Sequence, residues 1–434
     1  MPAQCCIGVD MGTSGCRALA VAGDGRVVAS ARAALPAPVR LPGGGVEQDP
    51  ELWWQALTHV LRGLGSRLGA HRPAALCLDG TSGTLLLCAA DGSPLGPALM
   101  YNDGASHAEA ARIGAAAPAD SPARGAGASL AKAMRLIARL APPAGSRALH
   151  QADWLLGRLL GRFDVSDWNN VLKLGYDAQA LRWPDWVLGL GLEAIALPRV
   201  LPPGTSVGRL DRAAAAATGL PEGLTLATGT TDSTAAFIAT GATEAGEAVT
   251  CLGSTLVLKV LSPTPIRSPG HGVYSQRVGE SWLVGGASNS GGAVLRRFFS
   301  DGEMAELGRR LLPEEPTGLD YYPLPAPGER FPVADPALAP RLSPRPADDL
   351  RFFQGLLEGI AAIEAKGYRL LRALGAPAPT RVLSTGGGAR NRAWGRIRQR
   401  ILGVPVCAAR HQEAAYGAAL LALRSVSGSR RQRD

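Results

Sequence analysis

The sequence predicts an α/β protein built from two domains, and three observations carry that expectation. The chain has 434 residues, 46% of them hydrophobic, which is enough for more than one core. A layout of strand, Gly/Ser/Thr-containing turn and second strand recurs near residues 5–22, 74–89 and 250–261. Stretches of helical apolar spacing follow these strand pairs. Repeated use of one layout suggests two related halves.

The elements follow in order. Cys5 to Val9 reads as a buried strand, and Gly12 to Gly15 as a small-residue turn. Arg17 to Ala22 and Arg26 to Arg32 form two strands joined through Gly23-Asp24-Gly25, because Asp-Gly between apolar runs favours a tight hairpin. A helix starts at Asp49-Pro50-Glu51, where Asp suits the cap, Pro the first helical position and Glu the positive dipole end. Leu52, Trp53, Ala56, Leu57, Val60, Leu61 and Leu64 then recur at helical spacing, and Trp53 and Trp54 are expected to pack rather than to stack on a ligand. Strands at Ala74–Leu78 and Leu85–Ala89 flank Asp79-Gly80-Thr81-Ser82-Gly83-Thr84. Residues 115–147 are rich in Ala, Pro, Gly and Arg and predict short helices and loops, while the Pro-rich residues 313–347 predict an extended surface excursion. A long helix opens at Asp349 and ends at Leu374-Gly375, a C-cap. Val382 to Ser384 is a strand entering Gly386-Gly387-Gly388. A helix over about Arg392–Leu402 and an Ala/Leu-rich helix over Glu413–Leu423 close the chain.

Composition narrows the function classes. A formal charge of +9 admits nucleic acid, an anionic membrane or a phosphorylated ligand as partner. The one compact basic cluster, Ser429 to Arg433, reads as a solvated terminus. Aromatic residues make up only 5%, so stacking platforms for single strands are not evident and no nucleic-acid partner is expected. Seven Cys without a CxxC pair or zinc-like spacing fit a reducing compartment, and Cys5 and Cys6 read as buried thiols. No apolar stretch approaches the ~20 residues that span a bilayer, and the first residues lack a signal-peptide pattern. The expectation is a soluble cytoplasmic protein with no membrane partner.

Three Gly-containing turns at strand ends carry the chemistry. In Asp10-Met11-Gly12-Thr13-Ser14-Gly15 an acidic residue ends a buried strand, with amides and two hydroxyls directly after it. Such a turn can wrap phosphate oxygens, and its carboxylate can serve Mg²⁺, which takes few carboxylates alongside phosphate and water. Read alone, it is equally an ordinary hairpin corner. In Ala227-Thr228-Gly229-Thr230-Thr231-Asp232, Asp232 precedes an apolar helical run and could be a helix cap or a general base. In Ser384-Thr385-Gly386-Gly387-Gly388-Ala389-Arg390-Asn391-Arg392-Ala393-Trp394, the triple Gly lets a backbone approach a flat ligand, Asn391 can hydrogen-bond to it and Trp394 can stack on it. None of the three holds a Walker A Lys-Ser/Thr pair, so phosphate binding here would use hairpin turns.

In their shared order these motifs resemble the FGGY carbohydrate kinases, nearly end to end. The resemblance rests on Gly8 to Ser14, Val46 to Trp54, Asp79 to Gly83, Met100 to Asp103, Gly229 to Asp232, Gly386 to Asn391 and Glu413 to Ala419. It implies two actin/hexokinase-like (ribonuclease H-like) domains with a central active-site cleft. Residues 1–239 would form the sugar and phosphate side, with 413–434 packing back on it, and 240–412 the nucleotide side. It further implies an ATP- and Mg²⁺-dependent kinase, monomeric or homodimeric, acting on a small sugar. Asp232 would be the catalytic base. Asp10 would organise Mg²⁺ and phosphates, with Gly12, Thr13 and Ser14 meeting the γ-phosphate. Ser254 would sit near the nucleotide phosphates, and Gly387, Gly388, Asn391 and Trp394 would form the adenosine pocket. Ser82, Asn102 and Asp103 would join Asp10 and Asp232 at the sugar, with Tyr101 replacing the family's Trp. Asn289 in Ser288-Asn289-Ser290-Gly291-Gly292 is a weaker ligand candidate, equally read as loop filler.

Typical xylulokinases of this family carry Ser-Gly-Gln-Met-His-Gly where this chain has Asp79-Gly80-Thr81-Ser82-Gly83-Thr84. With that Met and His absent, with Tyr101 and with a short chain, the sequence is similar to the plant and cyanobacterial xylulokinase-like group that acts on D-ribulose. D-ribulose is therefore the expected acceptor, and D-xylulose or another sugar or polyol of the family's range the alternative. No Arg-Glu clamp for glycerol is evident. A nucleotide-binding sensor of the same fold is the non-enzymatic alternative.

Overall fold

In a computed structural model, residues 3–431 are described, with side chains to residue 426. The basic terminal cluster from Ser429 onward lies outside the described side chains. The chain divides into two compact units, residues 1–239 with 413–434, and residues 240–412.

The first unit is organised by a six-stranded mixed sheet. Strands β1 (Gln4–Met11), β2 (Gly15–Ala22) and β3 (Val27–Ala34) form an antiparallel meander. β4 (Arg72–Gly80) pairs parallel to β1, and β5 (Thr225–Thr231) pairs parallel to β4. The resulting order β5-β4-β1-β2-β3, with Ser206–Arg209 on the outer edge, is that of a ribonuclease H-like domain. Strands buried on both faces read as continuous apolar runs, as in β1, where Cys5 to Val9 are all buried. Burial pushes the Cys5 thiol up to about 11 and that of Cys6 to about 12, so both stay neutral, and all seven cysteines are free.

Helix α1 (Pro50–Gly65) starts as the sequence predicts: Asp49 accepts from Glu51 N at 2.9 Å, and Pro50 occupies the first turn. Trp53 is fully buried and donates to Gln48, so it is a core residue. A second sheet in this unit holds Leu85–Cys88 and Ser146–His150. Between them lies α2 (Ser129–Leu140), a helix of twelve residues with seven buried positions, within the stretch read as short helices and loops. Helix α3 (Gln151–Leu160) follows, and α4 (Asp232–Ala239) leaves the end of β5.

The C-terminal helix, Ala414–Arg431, runs eight residues beyond the predicted end and packs on this unit. Its approach is backbone-close. A Cβ on Gly8 would lie 1.9 Å from the Ala415 carbonyl oxygen, and one on Gly417 would lie 1.8 Å from that of Ala235. Only glycine fits at either position.

The second unit repeats the plan. β6 (Glu247–Leu252), β7 (Leu256–Ser262) and β8 (Ser281–Ser288) are antiparallel, and β9 (Arg381–Thr385) and β10 (Val406–Ala408) add in parallel beside β6. The order β8-β7-β6-β9-β10 matches the first unit strand for strand. The two related halves suggested by the recurring turns are thus present as topology. Helices α5 (Asp301–Arg310), α6 (Asp349–Ala373) and α7 (Arg392–Leu402) cover it. Residues 313–347 carry no helix or named strand, in keeping with the predicted excursion.

Candidate active site

In the first unit, adjacent strands deliver three carboxyl groups to one end of the sheet. Asp10 sits near the end of β1 directly opposite Asp79 of β4, and Asp79 in turn pairs with Thr230 of β5. Asp232 follows two residues later, as the first residue of α4. Gly229 makes the approach possible: a Cβ there would lie 1.8 Å from the Leu78 carbonyl oxygen. The register shift between Ala227 and Thr230 marks the same spot, where the strand bends to present Asp232.

The three carboxyl groups differ in environment. Asp232 is partly exposed, and its Oδ1 accepts from Ser233 N at 2.6 Å. A carboxylate on the first turn of a helix is favoured by the dipole, which suits a group that must be ionised to act as a base. Asp79 is fully buried, and its carboxyl is held well above the usual range, by burial first and then by the charges of Asp10 and Asp232. Neither Asp79 oxygen has a hydrogen-bond partner, so the buried carboxyl is left without a protein donor. Asp10 is raised by burial, while Arg17, opposite it in the β1–β2 register at 3.8 Å, pulls it down.

The β1–β2 turn is closed by Gly12 N donating to the Gly15 carbonyl at 3.0 Å. Thr13 and Ser14 on it are accessible. Ser82 is partly exposed and Asn102 exposed, each on a turn of the first unit. Asp103 differs from its neighbour. It is fully buried, its Oδ2 accepts from Val46 N at 2.8 Å, and its Oδ1 accepts from Arg135 at 2.8 Å and Ala105 N at 3.3 Å. With both oxygens committed, Asp103 fixes the Met100–Gly104 turn and does not present itself to a sugar.

In the second unit a cavity of about 930 Å³ lies over the ends of β6 and β9. That volume is at the upper end of the range for small-molecule sites. Its walls include Gly253 and Ser254 of the β6–β7 turn and Gly387, Gly388 and Asn391 after β9. Leu295, Met304, Phe353, Leu357 and Trp394 supply the apolar surface. Asn391 caps α7, its Oδ1 accepting from Trp394 N at 3.0 Å. Its Nδ2 faces Gly308, where a Cβ would come within 2.8 Å. Trp394 departs from the stacking role expected for it. Its ring is buried beneath Gly388, where a Cβ would lie 2.4 Å from the indole, and its Nε1 donates to the Leu357 carbonyl at 3.2 Å. It is the floor of the cavity, and Gly388 is the part of that floor a planar ligand could reach. Asn289 is tied to the excursion, its N donating to Glu329 at 2.8 Å and its Nδ2 to the Gly328 carbonyl at 3.0 Å. The loop-filler reading fits it.

A buried ion pair ties together the elements that carry this cavity's walls. Arg398 of α7 donates twice to Glu364 of α6, both at 2.7 Å, and once to Ser384 of β9 at 2.6 Å. Thr250 of β6 donates to the same Glu364 at 2.6 Å, so one carboxylate fixes two helices to the sheet. The sequence reading missed α5 as a cavity wall. Its signal was Met304, Leu307 and Gly308 at helical spacing behind the Ser300–Glu303 capping box.

Among the described residues no group of three or more His, Cys, Asp or Glu side chains is placed to hold a metal ion. No helix there is long and apolar enough to cross a membrane.

Comparison with known proteins agrees with this geometry. Residues 5–126 match the N-terminal domain model of the FGGY family of carbohydrate kinases, and residues 248–426 match the C-terminal domain model. The chain is 30% identical to a xylulose kinase of Streptomyces coelicolor, over 97% of this chain and 88% of that protein. It is 26% identical to the xylulose kinase of Escherichia coli, over 89% of this chain and 83% of that one. Among solved structures, a xylulose kinase from Rhodospirillum rubrum superposes with a TM-score of 0.85 at 26% identity, covering 98% of this chain and 90% of that one.

Proposed function

The chain belongs to the FGGY family of carbohydrate kinases, an ATP-dependent sugar phosphotransferase with the two-domain actin/hexokinase-like fold, and we propose from that premise that its acceptor is a ketopentose, D-ribulose before D-xylulose. The observation that carries D-ribulose is the turn after β4. Gly83 stands where xylulokinases place a His, and its φ of +89° suits a residue without a side chain. Recognition of the acceptor hydroxyls then falls to Ser82 and Asn102. D-xylulose is the second reading, favoured by the names of the relatives.

The reaction is in-line transfer. The terminal hydroxyl oxygen of the ketose bonds to the γ-phosphorus, the bond from that phosphorus to the bridging β,γ oxygen breaks, and ADP leaves. Asp232 takes the hydroxyl proton as charge develops on the attacking oxygen. Thr13 and Ser14, on the turn held by Gly12, donate to the γ-phosphate, Ser254 to the phosphates nearer the nucleoside, and the 930 Å³ cavity takes adenosine against Gly387 and Gly388. Asp10, beside the donor-less oxygens of Asp79, suits a Mg²⁺ that arrives with phosphate and water, and such an ion would supply charge neutralisation. ATP supply and seven free thiols favour a cytosolic enzyme, working as a monomer or homodimer.

A coupled ADP-release assay across D-ribulose, D-xylulose, L-ribulose, L-xylulose, glycerol and ribitol tests the acceptor. The highest kcat/KM is expected with D-ribulose. Robust turnover of D-xylulose without D-ribulose would hand the assignment to the second reading.

A further inference from the structure

Lys132 is fully buried on the first turn of α2, an uncommon place for an ammonium group. Its Nζ donates to the carbonyl oxygens of Gly83 at 2.8 Å, Met100 at 2.6 Å and Tyr101 at 3.4 Å. Three donors thus meet three acceptors drawn from two separate turns. Asp103 is the nearby acid, but Arg135 and the Val46 amide already hold its oxygens, and no described carboxylate pairs with Lys132 itself.

Other polar side chains on the same helix are also bonded to the rest of the unit. Ser129 bonds His150 at 2.9 Å, Arg135 holds Asp103, and Arg139 holds Glu47. On α2, Lys132 and Arg135 reach the Met100–Asp103 turn, while Ser129 and Arg139 tie the helix to His150 and Glu47. Lys132 is the member that touches both turns at once. An apolar side chain would fill the same volume without the desolvation cost, so a buried charge here calls for a reason beyond packing.

We propose that Lys132 is a positioning residue of the acceptor site, tying the turn that presents Ser82 to the turn that presents Asn102 and so fixing the distance between two sugar-binding side chains. The inference rests on the reading that Ser82 and Asn102 hold the ketose. Loss of the clamp loosens the acceptor site and leaves the nucleotide cavity, in the other unit, as it was.

The test is Lys132→Met in the full-length enzyme. KM for the ketose is expected to rise about tenfold or more, the loss of a charged hydrogen-bond donor, with kcat and KM for ATP changed less than about twofold. Amide hydrogen exchange should quicken at Gly83–Thr84 and Tyr101–Asp103 and stay unchanged around Gly387–Asn391. An unaltered ketose KM, or exchange unchanged at the two turns, would overturn the proposal. If Lys132→Met does not fold, Lys132→Gln, whose shorter side chain keeps two donors for three carbonyls, should give a smaller rise in ketose KM with quickened exchange at the same two turns, and an unaltered KM and exchange would overturn the proposal. If the wild type phosphorylates no ketose, the proposed function fails, and exchange alone decides the clamp.

Discussion

Asp10 and Asp79 face each other across the parallel β1–β4 register, and burial with the charges of Asp10 and Asp232 holds the Asp79 carboxyl well above the usual range. The arrangement lets Asp10 carry a charge at the phosphate end while Asp79 stays neutral beneath it. Asp79 has a folded-state pKa raised above its unfolded value. Its stabilising contribution is therefore present at low pH and is lost as pH rises toward the folded value. Asp79→Asn removes that loss. Its melting temperature should exceed wild type at neutral pH, and the advantage should shrink toward pH 4. Equal melting curves across that range would refute the raised Asp79 pKa.

Asp232→Asn tests the base. Ketose-dependent ADP release should fall by about 100-fold or more, while ATP binding by calorimetry survives. Near-normal turnover would remove Asp232 from the chemistry.

Gly388→Ala tests the cavity floor. The added carbon would meet the Trp394 ring at 2.4 Å and the Leu252 side chain at 2.9 Å, and both are buried. KM for ATP is expected to rise about tenfold, with KM for the ketose unchanged. An equal rise in both constants would point to general distortion instead.

Arg398→Met leaves Glu364 buried without its partner. The second unit should lose about 3–5 kcal/mol, measured by urea unfolding. A loss below about 1 kcal/mol would mean that water reaches the pair.

Lys132 adds a pH signature. Burial lowers its ammonium to about 7, Asp103 opposes that, and Lys173 and Arg135 add to the fall. The charged clamp is complete below that value and is lost as pH rises through it. Folding stability from the same group moves the other way, because the unfolded chain binds the proton that the folded chain gives up. The ketose KM should therefore climb several-fold from about pH 6 to about pH 8 with no accompanying fall in melting temperature from this group. A flat profile would argue that the clamp works equally well with a neutral amine.

Much of the fold was legible because local signals agreed with tertiary ones. The Asp49-Pro50 start of α1, the Asp24-Gly25 hairpin and the capped α6 each follow from chemistry within a few residues. The carboxylate at Asp10 and the helix-leading Asp232 were visible for the same reason. What escaped depends on distant partners. Asp103 looked like a ligand residue because nothing nearby in sequence shows that Val46 and Arg135 consume its oxygens. Trp394 looked like a stacking plate because its burial under Gly388 is a matter of packing between a turn and a helix. Lys132 was hidden in an Ala-rich stretch whose composition resembles a loop, and only the convergence of three carbonyls marks it.

The glycine-to-backbone seams at Gly8 and Gly417 have a consequence for biosynthesis. The helix that fills them is encoded after the whole of the second unit, so a nascent chain emerging from the ribosome carries the first sheet with one groove open. The second unit has its complete strand set before that groove is sealed. The seam of the first sheet is thus closed by a helix that follows the whole second unit in the chain.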